Sequence, residues 1–213
     1  MKLLGIDEAG RGPIIGPMVM CAVYMNDPAT LEQIGVKDSK LLTPKQREEL
    51  YDELVQFVDK YELAIVEPIE IDEAVNVTRL NWLEADKSIE MINKLNPKKA
   101  ILDCPSKNPS SYKEYVFERL EDKKTELICE HKADGNYEVV AAASIIAKVT
   151  RDRIIEDLKK KLNSDFGSGY LSDPKTQKFL KESWKEHHSV FRKSWRPYKD
   201  LAFARNQSSL GDF

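Results

Sequence analysis

Two adjacent acidic residues, Asp7 and Glu8, directly follow a short apolar run at residues 3–6. The unbroken run predicts a strand buried on both faces, and Gly10 and Gly12 after the acids predict that the strand stops there. The acids are therefore expected at the end of a strand, where the sheet meets the protein surface. Because neighbouring carboxylates repel each other and are costly to desolvate, a fold that keeps them needs a cation, a proton or a hydrogen-bond donor close by.

Two further acidic residues are predicted at comparable places. Asp103 ends a second β-competent run at residues 100–102, and Asp134 lies just before the longest predicted helix. If that helix crosses over the sheet, its positive end and the strand ends face one pocket. Four converging carboxylates without a matching group of lysines or arginines are most simply explained by a hard divalent cation with oxygen ligands, which usually acts on phosphates. Spacing alone supports equally well the alternative that these acids are separate helix caps and turn residues.

The order of the predicted elements is typical of an α/β protein with a mixed sheet, in which the first strands pair antiparallel and helices separate the later ones. Strands are expected at residues 3–6, 18–25, 64–66, 100–102 and 126–129, and the main helices at residues 43–60, 81–95, 111–120, 138–162 and 174–186. Thr43 and Gln46 form the pattern of a capping box, and Asn81 and Asp173 are expected to cap two later helices. Residues 131–137 are expected to form a loop.

Length and composition describe an ordinary globular protein. The 213 residues suit one large domain, or one domain with an appendage, and 41% hydrophobic residues suffice for a core. No apolar run approaches the roughly 18 residues that span a bilayer, and the N-terminus lacks the pattern of a signal peptide, so a cytoplasmic protein is expected. Three widely spaced cysteines predict reduced, buried thiols rather than disulfides or a zinc site.

The net charge of −3 is unevenly distributed. Residues 174–205 contain nine Lys/Arg against three Asp/Glu, and aromatic residues are interleaved with them: Phe179, Trp184, Phe191, Trp195, Tyr198 and Phe203. Most of these aromatics are expected in the core, with the lysines facing the phosphates of a nucleic acid. His187 and His188 are expected to be solvated residues at a helix end, because no third nitrogen or thiolate ligand lies near them in sequence.

Several stretches of the chain resemble the signature sequences of the ribonuclease HII family. They are GIDEAGRGP at residues 5–13, DSK at 38–40, LD at 102–103, KAD at 132–134, AAASIIAKVTRD at 141–152 and GSGY at 167–170. The resemblance implies a ribonuclease H-like α/β fold, in which helices flank a mixed five-stranded sheet and a helical extension follows at the C-terminus. It also implies a metal-dependent endoribonuclease that cleaves the RNA strand of RNA/DNA hybrids and ribonucleotides embedded in duplex DNA. The products would carry 3′-hydroxyl and 5′-phosphate ends, as in ribonucleotide excision during DNA repair and replication.

Carried over position by position, the resemblance makes four carboxylates the ligands of two Mg²⁺ or Mn²⁺ ions: Asp7, Glu8, Asp103 and Asp134. One ion would activate the attacking water, and the other would stabilise the leaving 3′-oxygen. Ser144 and Lys148 lie four residues apart on one helix face and could support these carboxylates, although the same spacing also suits packing and solvation.

Five other residues match positions at which the family contacts its substrate: Gly10, Arg11, Gly12, Lys40 and Tyr170. The glycine–arginine–glycine loop would sense the 2′-hydroxyl through its backbone, since this group alone distinguishes RNA from DNA at a given nucleotide. Tyr170 would pack on the sugar of the neighbouring nucleotide, and Lys40 would contact a phosphate. Without the resemblance, Tyr170 would be interpreted as a surface tyrosine in a glycine-containing loop.

We expect a catalytic domain at residues 1–173, a basic helical segment at residues 174–205 packed on it, and a flexible tail at residues 206–213. The expected partners are RNA/DNA hybrids and DNA–RNA–DNA/DNA duplexes. The protein is expected to be a monomer without membrane association.

The tail looks like the clamp-binding peptide of replication and repair enzymes, which contains a glutamine, an aliphatic residue and an aromatic residue at fixed spacing. Gln207, Leu210 and Phe213 supply these three positions. The pattern implies a disordered segment that becomes ordered in a hydrophobic pocket of a sliding clamp. The usual second aromatic would be residue 214, whereas the sequence ends at residue 213. A frayed polar terminus is the alternative for this segment.

Two other classes of function fit parts of the sequence. A non-catalytic nucleic-acid-binding module would use the basic segment together with a structural metal site, and a metal-dependent phosphatase would act on small molecules. The complete set of four carboxylates argues against the first class, and the basic segment at residues 174–205 argues against the second.

Overall fold

The computed structural model describes residues 2–36 and 43–208. One mixed sheet contains five strands in the order β3-β2-β1-β4-β5, namely β1 Leu3–Ala9, β2 Met18–Met25, β3 Lys60–Val66, β4 Lys99–Asp103 and β5 Glu126–Glu130. The α-helices are α1 Pro44–Phe57, α2 Pro68–Asn76, α3 Leu80–Leu95, α4 Pro109–Arg119, α5 Ala133–Asn136, α6 Glu138–Leu162, α7 Pro174–Ser183 and α8 Arg196–Ser208. Among the described residues, 3₁₀ helices occupy Pro28–Ile34 and His188–Val190. The predicted α/β class with a five-stranded mixed sheet is confirmed.

The pairing of β1 places two of the acids at one end of the sheet. β1 pairs antiparallel with β2, with Asp7 opposite Cys21, and parallel with β4, with Ile6 opposite Leu102. The residues that follow in these two parallel strands are Asp7 and Asp103. Because the strands run in the same direction and in this register, both carboxylates lie at the same end of the sheet, near the carboxyl ends of β1 and β4.

The described residues divide into two compact units. The first unit consists of Met1–Ala9, Val19–Ile65 and Leu80–Arg151, and it contains the sheet. The second unit consists of Gly10–Met18, Val66–Arg79 and Asp152–Phe213.

The second unit has a hydrophobic core of its own. The buried members of this core are Ile14, Ile15, Ile155, Phe166, Phe179, Leu180, Val190, Phe191 and Tyr198. Trp184 and Trp195 pack against it as partly buried residues. The prediction that most aromatics of residues 174–205 lie in a core is therefore confirmed, and Phe203 is the exception, since it is 65% exposed. His187 stacks on the Phe179 ring, with 5.6 Å between ring centroids, and so also packs on an aromatic of this core.

Several predicted helix boundaries are confirmed. At the first two of them, capping hydrogen bonds between residues close in sequence determine where the helix begins. The Thr43 side chain accepts a hydrogen bond from the Gln46 backbone, and the Gln46 side chain accepts one from the Thr43 backbone, which completes the capping box of α1. Asp173 caps α7 through the Lys175 N–H. The longest helix, α6, has the predicted limits.

Other element ends differ from the prediction. β1 continues through both acids to Ala9, because its pairing with β2 extends to this residue. α1 ends at Phe57 and α7 at Ser183, in both cases three residues earlier than predicted. β3 begins at Lys60, four residues earlier than the predicted strand at 64–66.

Two local predictions around turns are wrong. α3 begins at Leu80, so Asn81 lies inside the helix and does not cap it. The turn between α2 and α3 contains a positive φ of 56° at Thr78, and in it the Arg79 N–H donates a hydrogen bond to the Ala74 carbonyl in the last turn of α2. The predicted loop at residues 131–137 contains the short helix α5.

The three cysteines are free thiols, as predicted. Cys21 and Cys104 are buried and Cys129 is half-buried. Burial raises the pKa of the Cys129 thiol to about 12, so this residue is a poor nucleophile at neutral pH. Within the described part of the chain, no helix combines the length and apolar character needed to cross a bilayer.

Candidate active site

Three of the four predicted carboxylates form a tight group at the edge of the sheet. One carboxylate oxygen each from Asp7, Glu8 and Asp103 lies within 4.8 Å of the other two. Oxygen ligands lie about 2.0–2.1 Å from a bound Mg²⁺ ion and about 2.3–2.6 Å from a bound Ca²⁺ ion, so oxygens of one coordination shell are at most about 4–5 Å apart. The three oxygens are therefore close enough together to hold one divalent cation.

Asp7 is the most deeply buried member of this group, with 6% of its surface exposed. Burial, and to a lesser extent the Asp103 and Asp134 carboxylates, raise the pKa of Asp7 from 3.8 to about 7. Hydrogen bonds from the Ser144 side chain and from the Glu8 N–H, at 2.8 Å, partly offset this rise in pKa. Asp7 therefore binds a proton near neutral pH unless a cation replaces it, which agrees with the need inferred from the sequence.

The fourth carboxylate, Asp134, is near the group but outside its 4.8 Å limit. It is half-buried in α5 and close enough to raise the pKa of Asp7. The preceding N–H, from Ala133, donates to the Asp103 carboxylate at 2.9 Å. Lys132, with a left-handed φ of 58°, turns the chain into α5. This turn places the start of α5 against the end of β4.

Of the two residues predicted to support the carboxylates, Ser144 contacts Asp7 directly through its side chain. Lys148 lies one turn further along α6 and is exposed. Their functional roles stay predictions.

Gly5 is a residue of this region that the sequence interpretation did not single out. A Cβ atom at Gly5 would lie 2.5 Å from the carbonyl carbon and oxygen of Val139, a contact that no side chain tolerates. β1 and the first turn of α6 therefore approach each other closely, two residues before Asp7. A glycine inside an otherwise apolar strand is the signal that could have indicated this approach.

The predicted substrate residues Gly10, Arg11, Gly12 and Tyr170 all belong to the second unit. A Cβ atom at Gly12 would lie 3.8 Å from the Tyr170 ring, so the loop and the ring are neighbours. The Gly169 carbonyl accepts hydrogen bonds from the Ile14 N–H at 2.9 Å and from the Ile15 N–H at 3.3 Å. These bonds join the segment before Tyr170 to the segment after Gly12. Tyr170 itself is 38% exposed.

Some predicted residues lie outside the described part of the chain. These are Lys40, Leu210 and Phe213, together with the side chain of Gln207. The backbone of α8 continues to Ser208, so the segment predicted to be a flexible tail begins with three helical residues. The predicted limits of the domains stay predictions.

The sequence of the chain was compared with those of known proteins. The family model described as ribonuclease HII matches residues 4–197. The chain belongs to the ribonuclease HII family. The ribonuclease HII of Pyrococcus horikoshii is 43% identical over 222 residues, which cover 100% of this chain and 99% of the relative.

Solved structures of the family share the fold. The ribonuclease H2 of Pyrococcus horikoshii matches with a TM-score of 0.85 at 43% identity, over 94% of this chain and 97% of the other. The ribonuclease HII of Archaeoglobus fulgidus, solved in complex with PCNA, matches with a TM-score of 0.84 at 40% identity, over 93% of this chain and 96% of the other. Bst-RNase HIII, solved with Mn²⁺, matches with a TM-score of 0.80 at 21% identity over 96% of this chain and 70% of the other, and it shares the fold.

Membership of the ribonuclease HII family establishes the general activity of the protein. It is a hydrolase with ribonuclease H activity, and the predicted ribonuclease H-like fold is confirmed. Such an enzyme depends on a divalent metal, and the acidic group of Asp7, Glu8 and Asp103 is close enough together to hold one.

Proposed function

We propose that the protein is an endonuclease that cuts the RNA strand of RNA/DNA hybrids and also cuts duplex DNA at single embedded ribonucleotides. The products would carry 3′-hydroxyl and 5′-phosphate ends. The observation that carries this proposal is the group of three carboxylate oxygens within 4.8 Å of one another in a chain of the ribonuclease HII family. Because a structural metal site in a non-catalytic module could use the same oxygens, membership of the ribonuclease HII family is what favours the catalytic alternative.

Two Mg²⁺ or Mn²⁺ ions would be held by four residues: Asp7, Glu8, Asp103 and Asp134. When bound, these ions supply an activated water and stabilise the charge of the leaving 3′-oxygen. The chain itself orients the ligands, since the Ala133 N–H holds the Asp103 carboxylate and the Ser144 side chain holds that of Asp7. Preoriented ligands of this kind lose little freedom when a cation binds.

The substrate would be recognised by the backbone of residues 10–12 and by the Tyr170 ring. Gly12 has no side chain to separate its backbone from this ring, and the exposed part of Tyr170 is available to a sugar. Because a 2′-hydroxyl both donates and accepts hydrogen bonds, backbone groups alone can distinguish a ribonucleotide from a deoxynucleotide. Lys40 would contact a phosphate.

A sliding clamp is the proposed protein partner. The relative from Archaeoglobus fulgidus was solved in complex with PCNA, which supports this class of partner. Gln207, Leu210 and Phe213 would form the peptide that binds the clamp. We further expect a monomer in the cytoplasm.

A panel of substrates tests the proposed activity. The protein would be incubated with Mg²⁺ or Mn²⁺ and three matched duplexes: an RNA/DNA hybrid, DNA with one ribonucleotide, and DNA alone. We expect cleavage of the first two, 3′-hydroxyl and 5′-phosphate ends, and no cleavage after chelation of the metal. Binding of all three duplexes without cleavage would support the non-catalytic alternative. Hydrolysis of a small phosphate monoester with intact duplexes would support a phosphatase.

A further inference from the structure

Arg192 is a fully buried cation in the second unit, with no exposed surface. Burying a guanidinium group is very costly unless its donors are satisfied. The Arg192 side chain donates to three backbone carbonyls of one loop: to Gly10 through Nη2, to Arg11 through Nη1 at 2.7 Å, and to Gly16 through Nε at 3.1 Å. A buried cation therefore holds the backbone of the predicted substrate loop.

A second side chain from the same segment continues this pattern. The Trp195 indole Nε1–H donates to the Gly12 carbonyl at 3.1 Å. The Arg192 guanidinium lies 5.1 Å from the centroid of the Trp195 ring, within the range of a cation–π interaction. The three consecutive carbonyls of Gly10, Arg11 and Gly12 are thus bound by two side chains that contact each other.

These contacts fix the direction of two N–H groups. The described chain contains no cis peptide bond, and in a planar trans peptide the N–H points away from the preceding carbonyl. The Gly10 carbonyl shares its peptide with the Arg11 N–H, and the Arg11 carbonyl shares its peptide with the Gly12 N–H. Because both carbonyls point toward Arg192, the N–H groups of Arg11 and Gly12 point to the opposite side of the loop.

Hydrogen bonds also hold the backbone at Arg192 and at the two residues that follow it. Its own N–H donates to the Ile14 carbonyl at 2.9 Å. The next two residues are fixed by the buried carboxylate of Asp72, which accepts from the Lys193 N–H at 2.9 Å, the Ser194 N–H at 2.8 Å and the Ser194 hydroxyl at 2.6 Å. The backbone that carries the guanidinium is therefore itself held in place by hydrogen bonds.

We propose that Arg192 and Trp195 are positioning residues for ribonucleotide recognition. They hold the carbonyls of residues 10–12 on one side, so that the N–H groups of Arg11 and Gly12 are presented in fixed directions to the 2′-hydroxyl of the substrate. This inference rests on the proposed role of the loop in reading the sugar.

The substitution Trp195→Phe removes the indole donor and keeps an aromatic ring. Its matched control is Trp184→Phe, which alters a tryptophan that packs edge-on against Tyr198 in the same core. For Trp195→Phe we expect kcat/KM on a duplex with one ribonucleotide to fall about threefold to tenfold, the effect of one lost hydrogen bond. Affinity for an all-DNA duplex of the same sequence stays at the parental value. The Trp184→Phe control should keep the parental kcat/KM and the parental affinity for DNA. Parental kcat/KM in Trp195→Phe, or an equal loss of affinity for DNA, would overturn the proposal.

Arg192→Lys retains the charge but cannot reach carbonyls in three directions from one ammonium group. The loss in kcat/KM is expected to be larger, about tenfold to hundredfold. Hydrogen exchange of the amides at residues 10–16 provides a readout independent of cleavage and should accelerate in both variants. If the parental protein cleaves no ribonucleotide substrate, the proposed function fails, and exchange alone decides the positioning role. Parental exchange rates in both variants would then refute it.

Discussion

At the residue scale, the properties of Asp7 follow from its burial beside other carboxylates. Burial alone disfavours the charged form, and Asp103 and Asp134 add repulsion. The Ser144 hydrogen bond only partly compensates, so the pKa remains near 7. A site of this kind is destabilising when it is charged and contains no cation, and it gains stability when a cation binds.

The first prediction concerns stability without metal. The pKa of Asp7 is about 7 in the folded protein and near 3.8 when unfolded, so the folded state binds more protons between these values. The free energy of unfolding should therefore fall as the pH rises from about 4 to about 7, by at most about 4 kcal/mol from this residue. Denaturant unfolding in a chelator at pH 5 and pH 8 measures this change. Asp7→Asn should reduce the pH dependence, and an unchanged dependence in this variant would contradict the assignment.

The second prediction concerns activity. Asp7→Asn, Asp103→Asn and Asp134→Asn should each reduce cleavage at least about hundredfold while the protein stays folded, because a loss of a ligand exceeds the ten- to hundredfold effect of groups that only support ligands. Circular dichroism checks the fold, and single-turnover cleavage measures the rate. Asp157→Asn is a suitable control, since this carboxylate is exposed and pairs with Lys160. Parental turnover by any of the three variants would remove that residue from the site.

At the element scale, the close approach of β1 and α6 places Asp7 next to the helix that carries Ser144. Gly5 permits this approach because its missing side chain leaves room for the Val139 backbone. The register of β1 and β4 then brings Asp103 beside Asp7. Three elements thus determine the geometry of the carboxylate group.

The third prediction tests this arrangement. Gly5→Ala should destabilise the protein by about 1–3 kcal/mol, because the added methyl group collides with backbone atoms that cannot rotate away. Gly135→Ala is the matched control, since nothing lies within 4 Å of a methyl group there. Denaturant unfolding compares the two variants. A Gly5→Ala protein as stable as its control would show that α6 can shift without cost.

The sequence predicts elements best where the determining interactions are local. The capping box at Thr43 and the long run of α6 are examples, and both are confirmed. The ends of β1 and β3 depend on partner strands distant in sequence, so their lengths are underestimated. The grouping of the Asp7, Glu8 and Asp103 carboxylates could be predicted, because each residue lies at the end of an apolar run. The contacts of Arg192 could not be predicted, because its carbonyl partners lie more than 170 residues away in the chain.

At the scale of the whole molecule, the residues proposed to bind metal and those proposed to recognise the substrate belong to different compact units. Asp7, Glu8 and Asp103 belong to the first unit, and Gly10, at the start of the second, is separated from Glu8 by one residue. The second unit also contains the basic segment at residues 174–205. Its lysines and arginines are expected to contribute affinity that does not depend on sequence and decreases with salt.

The fourth prediction concerns the partner at the C-terminus. Phe213→Ala should weaken clamp binding at least about tenfold, because a buried aromatic anchor contributes much of the energy of such an interface. Calorimetric titration with the clamp measures this effect, and Phe203→Ala, at an exposed aromatic of α8, is the control. Removal of residues 209–213 should leave cleavage of short duplexes unchanged. Equal clamp binding by the parental and Phe213→Ala proteins would exclude this residue from the interface.

Metal occupancy and cleavage can be measured together in the same sample. Mn²⁺ would be titrated into the metal-free protein with a single-ribonucleotide duplex, while electron paramagnetic resonance reports bound Mn²⁺. We predict up to two bound ions per chain, cleavage that rises with their occupancy, and loss of both signals in Asp103→Asn. Complete cleavage by protein without bound metal, or full turnover by Asp103→Asn, would show that cleavage does not depend on a metal held by these carboxylates.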